Sequence, residues 1–515
     1  MIWFLIVYSA KVRALIAPIK VDCVICGGGP AGLAAGIELA SSVEKNKMRD
    51  IVVLERRERA DEFDQGKAYL YLIDKRGRRW TDRHALTDVI GARGVSSANY
   101  TITRVYPDGR GLETVTPPLS SPQGIWIPRA QFLAVLAEKA VKISQENKCS
   151  LQLEYRALIT GIEMNNENGV FVHVKMTNNQ NNQIEERCYA PKSLLIGCDG
   201  LDSMVRSAMD VPPCVILPSP SAGLCYKIMS VPSNFKVKDL STQKLVQTEP
   251  NRAYTLRSAA TQRQRNIRLG FLPVAPSVRI RTANVIKPKN HHVWKLQSLD
   301  EARAFFKSSF PQLPKPFADA ELEPFVQAAK NPDRIASFPA SRYSPIVSKV
   351  CTDKKIPCLL LGDAASAFPP DLGQGVNSAL EDVLVLGNLI NSQSLSQQPL
   401  TDAFQKERAP ANKALAKIVR CAFPFQYDQA PLRSKIFFVG FLTRLLLSRL
   451  LPFLIAPPAA LAVLKGEPYV DVWRRAERTT WLFRSIFFSA CIVSSFFFLT
   501  TKQRLIPPSF FSFVA

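Results

Sequence analysis

Histidine is scarce in this chain. The 515 residues include four, His84, His173, His291 and His292, and none stands in a metal-ligand or triad spacing. That argues against a zinc centre, or any metal site, and against a hydrolase built on histidine. Regular cysteine spacing is also missing. The count of 11 is odd and without pattern, which speaks against a disulfide framework and for a reducing compartment. Cys23 and Cys26 form a CxxC, but both fall in an expected strand where residues three apart face opposite ways, so they read as small buried hydrophobes. Acidic side chains are in deficit, 43 against 66 Lys and Arg, for a formal charge of +23. Such a field attracts a phosphorylated cofactor or an anionic membrane surface. Nucleic acid is not expected as a partner, because the cations are scattered and no stretch interleaves them with aromatics.

Long uninterrupted apolar runs are few. The amino-terminal one, of about nine residues, is too short to cross a bilayer, and its cations follow it, contrary to a secretory signal. An organellar presequence or a surface anchor stays open. Residues 436–464 are interrupted by Arg444, Arg449, Pro452, Pro457 and Pro458, the pattern of broken or interfacial helices or of a lid. Residues 485–501 are uncharged over about 17 positions, the lower limit for a transmembrane helix. Arg474, Arg475, Arg478 and Arg484 precede them and Lys502 and Arg504 come after, which predicts a cytosolic catalytic part. There is no internal repeat or long low-complexity tract. A hydrophobic content of 47% excludes general disorder and allows two or three domains.

What the chain does have is two glycine-rich turns more than three hundred residues apart. CGGGPAGLAAG, at 26–36, follows an apolar run, 21–25, that reads as a buried strand, and leads into a helical pattern at 33–40. Gly27 permits the tight turn, Gly29 lets the backbone approach a pyrophosphate, and Gly32 brings helix against strand. The next strand, 51–54, ends at Glu55, about 28 residues after Gly27, where a carboxylate accepts hydrogen bonds from ribose hydroxyls. The second turn is LLLGDAASAFPPDLGQGVNSALED, at 359–382. Between them, SLLIGCDGLDSMVR reads as a buried strand, a turn carrying Asp199 and Gly200, and a helix carrying Arg206. Arg129 begins the helical stretch WIPRAQFLAVLAEKAV. Residues 69–123 read as loop-rich; strands are expected at 151–163 and 170–176 around the Asn-rich turn 165–169. Short β-like runs between 212 and 343 predict an inserted antiparallel sheet that supplies a substrate wall.

Together, GGGPAG with Glu55, Arg129, the CDG turn with Arg206, and GDAASAFPPDLGQGVN resemble the class A flavoprotein monooxygenases across residues 21–408. The resemblance implies an α/β fold, a Rossmann-like FAD-binding domain (GxGxxG, DG and GD motifs) with an inserted antiparallel-sheet substrate domain and a helical, apolar carboxyl-terminal region. The expected boundaries are 1–20 for a leader, 21–211 and 346–423 for the two parts of the FAD-binding domain, 212–345 for the substrate domain, and 424–515 for the helical region. By resemblance, Asp363 binds ribityl or ribose hydroxyls of FAD, and Pro370 packs by the isoalloxazine. Gly373, Gln374 and Gly375 open a helix whose amino end faces the flavin pyrimidine, so Pro370 and these three are the expected catalytic positions. Arg56, Arg129, Asp199, Val376 and Asn377 join Gly27, Gly29, Gly32, Glu55, Asp363 and Gly375 as expected cofactor contacts, and Arg206 is expected near the FAD and nicotinamide phosphates. Ser366 departs from the GDAAH of many relatives.

Within the class, the best match is the kynurenine 3-monooxygenase family, through QGVNSALEDVLVL, ERAPANKALAKI and a basic then hydrophobic carboxyl terminus. That family's amino-acid clamp does not carry over, because the corresponding positions fall near Ala98, Gln123, Ala422 and Ala459. Arg93 or Arg104 is a possible substitute, and a less polar substrate is expected. The expectation is therefore a single-component FAD monooxygenase that uses O2 on an aromatic or apolar small molecule. With one dinucleotide fingerprint, NADPH or NADH would dock transiently. It would be membrane-associated with a cytosolic catalytic domain, by resemblance at the mitochondrial outer membrane. The alternatives are a flavin-dependent epoxidase, reductase or quinone-pathway hydroxylase acting on a prenylated lipid, and a non-catalytic flavoprotein-like binding protein.

Overall fold

The computed structural model describes residues 17–504 apart from 43, 45–46, 63–68, 99–100, 117–123, 147–148, 179–182, 316, 393–396 and 428. The expected leader thus lies almost wholly outside the described residues. The strand Ile19–Cys26 is central because its second half is apolar and fully buried, as a strand covered on both faces must be. It pairs in parallel with Ile184–Gly197 on one side and Asp50–Leu54 on the other. Ile356–Leu360 and Ser150–Glu154 extend the parallel set outwards. Ser348–Cys351 closes one edge antiparallel, and the hairpin Ala157–Asn165 with Gly169–Thr177 pairs with the earlier half of Ile184–Gly197. The Asn-rich hairpin turn is as expected: Asn165 Oδ1 accepts from the amides of Glu167 and Asn168, and Gly169 takes φ +101°. Helix Pro30–Ser41 packs against helices Arg129–Glu146 and Gly375–Ser392. Cys23 and Cys26 are fully buried strand residues, as read.

The inserted sheet has six strands, in the order Cys225–Pro232, Ile280–Lys287, Arg268–Phe271, Ala253–Arg257, Ile102–Val105 and Leu112–Val115. It has its own core, in which Leu256, Leu269 and Phe271 meet Trp294, Phe306 and Phe325 of the covering helical segments. The last two strands come from the stretch read as loop-rich, and Ile102–Val105 joins parallel to Ala253–Arg257. The same stretch supplies helices Lys75–Arg83 and Thr87–Arg93 and the strands Leu70–Ile73 and Val95–Ser96, which flank Ile125–Pro128 in a small sheet.

A third core gathers Leu415, Ile418 and Val419 of helix Gln397–Ala422 with Val463, Tyr469 and Val472. Helix Pro431–Leu450 is separated from helix Ala459–Leu464 by Pro452, Pro457 and Pro458, the break those prolines predict. It buries no residue, and Leu432, Ile436, Val439 and Leu442 are exposed. Residues 485–501 belong to the single helix Tyr469–Arg504, whose first turns lie in that core. Among the described residues, no helix is long and apolar enough to cross a membrane. The transmembrane helix expected at 485–501 is thus not supported by the described residues, and the uncharged stretch of about 17 positions stays at the lower limit for a span.

Candidate functional site

At the end of the first strand, Gly27 takes φ +103° and donates to Leu54 O at 2.9 Å; a Cβ there would lie 2.3 Å from Cys198 O. A Cβ on Gly32 would lie 1.8 Å from Gly27 O, so this glycine is needed for the close approach of helix and turn. Gly29 is different. Its φ is an ordinary −74°, and a Cβ would meet nothing within 4 Å among the described residues. Open space therefore sits at the amino end of helix Pro30–Ser41, where backbone N–H groups and the helix dipole favour an anion.

Glu55 ends the adjacent strand and is buried. Its Oε2 accepts from Gly28 N at 2.9 Å and its Oε1 from Arg57 N at 3.0 Å, with the Arg57 guanidinium Nε at 3.1 Å. Burial opposes its charge, but Arg57 and these amides hold its pKa below the usual carboxylate range. Arg57 Nη1 is buried with no hydrogen-bond partner among the described residues. The expected contact Arg56 is exposed; the chain bends on leaving the strand, and the next residue, Arg57, returns to Glu55.

The second turn is held by a buried ionic network. Gly362 N donates to Asp382 Oδ2 at 2.8 Å, Arg408 Nε to Asp382 Oδ1 at 2.6 Å, and Arg408 Nη1 to Glu381 Oε2 at 2.9 Å. Arg76 meets the other oxygen of Glu381. Burial pushes Asp382 up, while Glu381, equally opposed by burial, is held down by Arg408 and Arg76. This network fixes the turn Gly362–Ala364, on which Asp363 is exposed.

Pro370 is exposed at the start of the turn Pro370–Leu372, and Gly373 comes next at φ +64°. A Cβ on Gly373 or Gly375 would meet nothing within 4 Å among the described residues, so a second open space lies at the amino end of helix Gly375–Ser392. Gln374 does not face it. Its Nε2 donates to Asp74 Oδ2 at 2.8 Å and its Oε1 accepts from Tyr469 Oη at 2.9 Å. Asn377 is also turned inwards, donating to Leu72 O at 2.8 Å and Gly373 O at 3.1 Å, and Val376 is in the core. The expected catalytic side chain of Gln374 and the expected cofactor contacts of Val376 and Asn377 are thus scaffold, leaving the backbone to face the opening.

Asp199 and Arg206 also differ from expectation. Asp199 Oδ2 accepts from Met204 and Val205 N at 2.6 and 3.1 Å, at the start of the short helix Met204–Ala208 that Ser203 caps, while its Oδ1 is buried without a hydrogen-bond partner among the described residues. Arg206 donates to Ala364 O at 2.7 Å and Leu201 O at 2.8 Å, which ties the CDG turn to the GD turn instead of leaving its guanidinium for a phosphate.

Arg129 is half-buried at the start of helix Arg129–Glu146, its amide donating to Tyr69 O at 2.9 Å, and its charge acts on the buried Tyr71 together with those of Asp363 and Arg57. The GD turn also lies against the start of both glycine-led helices: a Cβ on Gly362 would be 3.2 Å from the Cβ of Ala31 and 3.4 Å from that of Ala379. There is also a row of rings: Tyr69 is hydrogen-bonded to Tyr226, Tyr226 stacks on Phe338 at 5.1 Å, and Phe338 lies 5.6 Å from Tyr427. The clamp substitutes are already committed, Arg93 to Glu138 at 2.6 Å and Arg104 to Glu113 at 3.5 Å. Ala422 is in the core, and position 123 lies outside the described residues. A cavity of about 500 Å³ lined by Glu38, Arg83, His84 and Lys139 lies at the far end of helix Pro30–Ser41, away from both turns. Among the described residues, no cluster of His, Cys, Asp or Glu could hold a metal.

Residues 20–298 and 326–419 match the FAD binding domain family. Relatives include the kynurenine 3-monooxygenase of Christiangramia forsetii, 28% identical over 123 residues, 24% of this chain and 25% of that one. The kynurenine 3-monooxygenase of Salinispora arenicola is 33% identical over 124 residues, 23% of this chain and 26% of that one. Violacein synthase of Chromobacterium violaceum is 31% identical over 137 residues, 27% and 28% of the two. Such matches span about a quarter of the relatives' length. Among solved structures, the flavin-dependent monooxygenase PieE in complex with FAD and substrate matches with a TM-score of 0.53 at 16% identity, covering 90% of this chain and 72% of that one. PqsL, a probable FAD-dependent monooxygenase from Pseudomonas aeruginosa, matches with a TM-score of 0.51 at 16% identity, covering 82% and 100%. Those identities speak for the fold, and the family match covers well over half the chain: this protein belongs to the FAD binding domain family.

Proposed function

We propose that this chain is a single-component monooxygenase that binds FAD, is reduced by NADPH or NADH, and uses O2 to hydroxylate an aromatic or similarly activated, weakly polar small molecule. The observation that carries the reading is the pair of open spaces beside Gly29 and beside Gly373 and Gly375, each at a helix amino end and each glycine without a packing reason of its own. FAD fits this arrangement, and when bound it would supply the redox and oxygen-activating chemistry.

The chain's own residues bind, orient and exclude water. The N–H groups beyond Gly29 would take the pyrophosphate, Glu55 ribose hydroxyls, and the exposed Asp363 the hydroxyls further along, with the spare Arg57 Nη1 as an additional donor. Free N–H groups around Gly375 would stabilise negative charge on the flavin pyrimidine. Gln374, Asn377, Asp74 and Tyr469 hold that backbone in place from behind. Arg206 sets the distance between two of the turns. No second dinucleotide fingerprint is present in the sequence, which supports transient docking of the nicotinamide cofactor.

The test is direct: the purified protein should be yellow, take up FAD stoichiometrically, and couple NADPH or NADH oxidation to O2 consumption when given the right substrate. A protein that takes up no FAD refutes the reading. L-kynurenine should stimulate poorly, since a carboxylate desolvated without a cation is costly to bind; its stoichiometric 3-hydroxylation at low micromolar concentration would contradict this. A second reading, oxidation of a prenylated lipid at a membrane surface, is favoured by the exposed apolar side chains of helix Pro431–Leu450 with Arg433, Lys435, Arg444 and Arg449 among them. Failure of the protein to sediment with anionic vesicles would remove that support.

A further inference from the structure

Behind the backbone that faces the second opening lies an acid whose charge the local structure does not require. Asp74 is fully buried at the start of helix Lys75–Arg83. Its Oδ1 caps that helix, accepting from Arg76 N at 2.8 Å and Gly77 N at 3.3 Å. A cap needs one acceptor oxygen, and serine or asparagine supplies it about as well as aspartate does. The second oxygen, Oδ2, is turned to Gln374, whose Nε2 donates to it at 2.8 Å. Arg76, whose charge acts on Asp74, sends its guanidinium elsewhere, to Glu381 and the Glu467 carbonyl. Burial pushes the Asp74 pKa up, against the Gln374 side chain and the two amides that favour its ionised form. A carboxylate without an ion pair among the described residues is thus kept in the interior, where burial of charge is unfavourable and a neutral side chain would serve the helix equally well.

That charge sits where two helix amino ends meet. Asp74 N donates to Asn377 Oδ1 at 3.1 Å, and a Cβ on Gly77 would lie 2.4 Å from the same oxygen, so the first turn of helix Lys75–Arg83 is packed directly on the first turn of helix Gly375–Ser392. Gly373 and Gly375, on either side of Gln374, open on the space assigned to the flavin pyrimidine. One glutamine side chain separates Asp74 from that backbone. Because a carboxylate accepts hydrogen bonds and cannot donate them, Asp74 also fixes the sense of the chain: Gln374 gives its Nε2 to Asp74, and its Oε1 accepts from the Tyr469 hydroxyl at 2.9 Å.

Uptake of a hydride by bound FAD brings two electrons and one proton, so one negative charge appears on the ring. We propose that Asp74 sets the reducing power of the flavin: its fixed negative charge, one side chain behind the N–H groups around Gly375, opposes the charge that arrives with reduction and keeps the reduced cofactor a strong electron donor to O2. This rests on the monooxygenase reading and adds to it, since a residue that merely held the backbone would not need a charge. Like charges in a poorly polarisable interior repel far more strongly than in water. The helix amino end pulls the other way, favouring the reduced form, and Asp74 moderates that pull. It acts through the field and through Gln374, as a positioning residue that touches neither cofactor nor substrate.

The test uses the full, FAD-loaded chain without substrate or nicotinamide cofactor, at about pH 8, above the ordinary carboxyl range. It reads the flavin midpoint potential by equilibration with reference dyes. Asp74→Asn removes the charge at nearly constant shape: its oxygen still caps the helix, and Gln374 turns over to accept from its amide and donate to Tyr469 Oη. The variant should have a Tm at or above that of wild type and take up oxidised FAD with little change in affinity. It should favour reduced over oxidised FAD at least tenfold more than wild type does, a rise of about 30 mV for a two-electron couple. Asp74→Glu, which keeps the charge, should stay near the wild-type potential. An unchanged or lower potential in Asp74→Asn overturns the assignment, as does an equal rise in Asp74→Glu or loss of FAD from a folded Asp74→Asn. If Asp74→Asn does not fold, Asp74→Ser, another neutral cap, takes its place with a rise expected in the same direction. Failure of both to fold also overturns the assignment, because the cap would then need the charge. Wild type that takes up no FAD sinks the monooxygenase reading beneath it instead.

Discussion

Alanine at Gly29 and at Gly32 should have opposite effects, because the two glycines stand in the same turn for different reasons. At Gly29 the backbone angles, φ −74° and ψ −172°, suit any residue, and a Cβ meets nothing within 4 Å among the described residues. The apoprotein should therefore be unharmed, or stabilised by about 0.4–1 kcal/mol through loss of freedom in the unfolded chain. The new methyl group would occupy the space assigned to the pyrophosphate and displace its hydrogen bonds to the backbone. Bonds to a charged group are worth roughly 1.5–3 kcal/mol each, so losing one weakens FAD binding about 10- to 150-fold. At Gly32 a Cβ would sit 1.8 Å from Gly27 O, and the strand–helix contact must open. Overpacking of this kind costs about 1–3 kcal/mol or more, several degrees in Tm. Calorimetry of both apoproteins and FAD titration by fluorescence quenching measure the two effects separately. Wild-type FAD affinity in Gly29→Ala, or a Tm loss as large as that of Gly32→Ala, would refute the assignment of that space.

Asp363→Ala, alone and with Glu55→Ala, should reduce bound flavin per polypeptide after gel filtration by the loss of roughly 1.5–3 kcal/mol per charged acceptor; full retention in the double variant contradicts the site. Arg408→Met leaves Asp382 and Glu381 buried without their shared cation and should cost about 3–5 kcal/mol in urea unfolding, while a change within about 1 kcal/mol would show the network to be dispensable. Tyr469→Phe strands the Gln374 carbonyl oxygen and should cost about 1–3 kcal/mol while weakening flavin retention; unchanged retention would separate the carboxyl-terminal helix from the site. Asp371 has a folded pKa of about 6, above its unfolded value, the reverse of a salt-bridged acid. It therefore lowers stability above pH 6, and that deficit disappears as the pH falls from about 6 to 4. Asp371→Asn should be more stable than wild type by up to about 3 kcal/mol at pH 7 and converge with it near pH 4, and a pH-independent difference would contradict this.

The parts of the site that were legible in the sequence are those in which cause and effect are close along the chain. Gly27, Gly32 and Glu55 are specified by one strand–turn–helix–strand unit, and each stands where its spacing placed it. Gln374 was not legible, because its orientation is set by Asp74 and Tyr469, which lie 300 and 95 residues away. Arg56 and Arg57 are equivalent as letters, and only the bend after the strand chooses between them. The strands Ile102–Val105 and Leu112–Val115 are too short to show a clear alternation, and their partner Ala253–Arg257 comes much later in the chain. The charges of Glu381, Asp382 and Arg408 sit on helical segments where surface pairing is the usual reading, and only the packing of Arg76 and Gly362 shows them to be interior.

The seating of Tyr469 on Gln374 has a consequence for how the protein is made. Domains of a growing chain fold amino-terminal part first, at synthesis rates of roughly 5–20 residues per second, so the glycine turn at Gly27 emerges about 20–90 s before Tyr469 exists. Throughout that interval Leu195–Gly197 lacks its neighbour Cys358–Leu360, and the buried strand edge it presents is a template for wrong pairing. Flavin uptake must then be a late event, close to completion of the chain. Cells short of flavin would be expected to accumulate a nearly complete chain whose sheet is formed but whose second turn is loose, a form open to proteolysis at the GD and GQG segments before anywhere else.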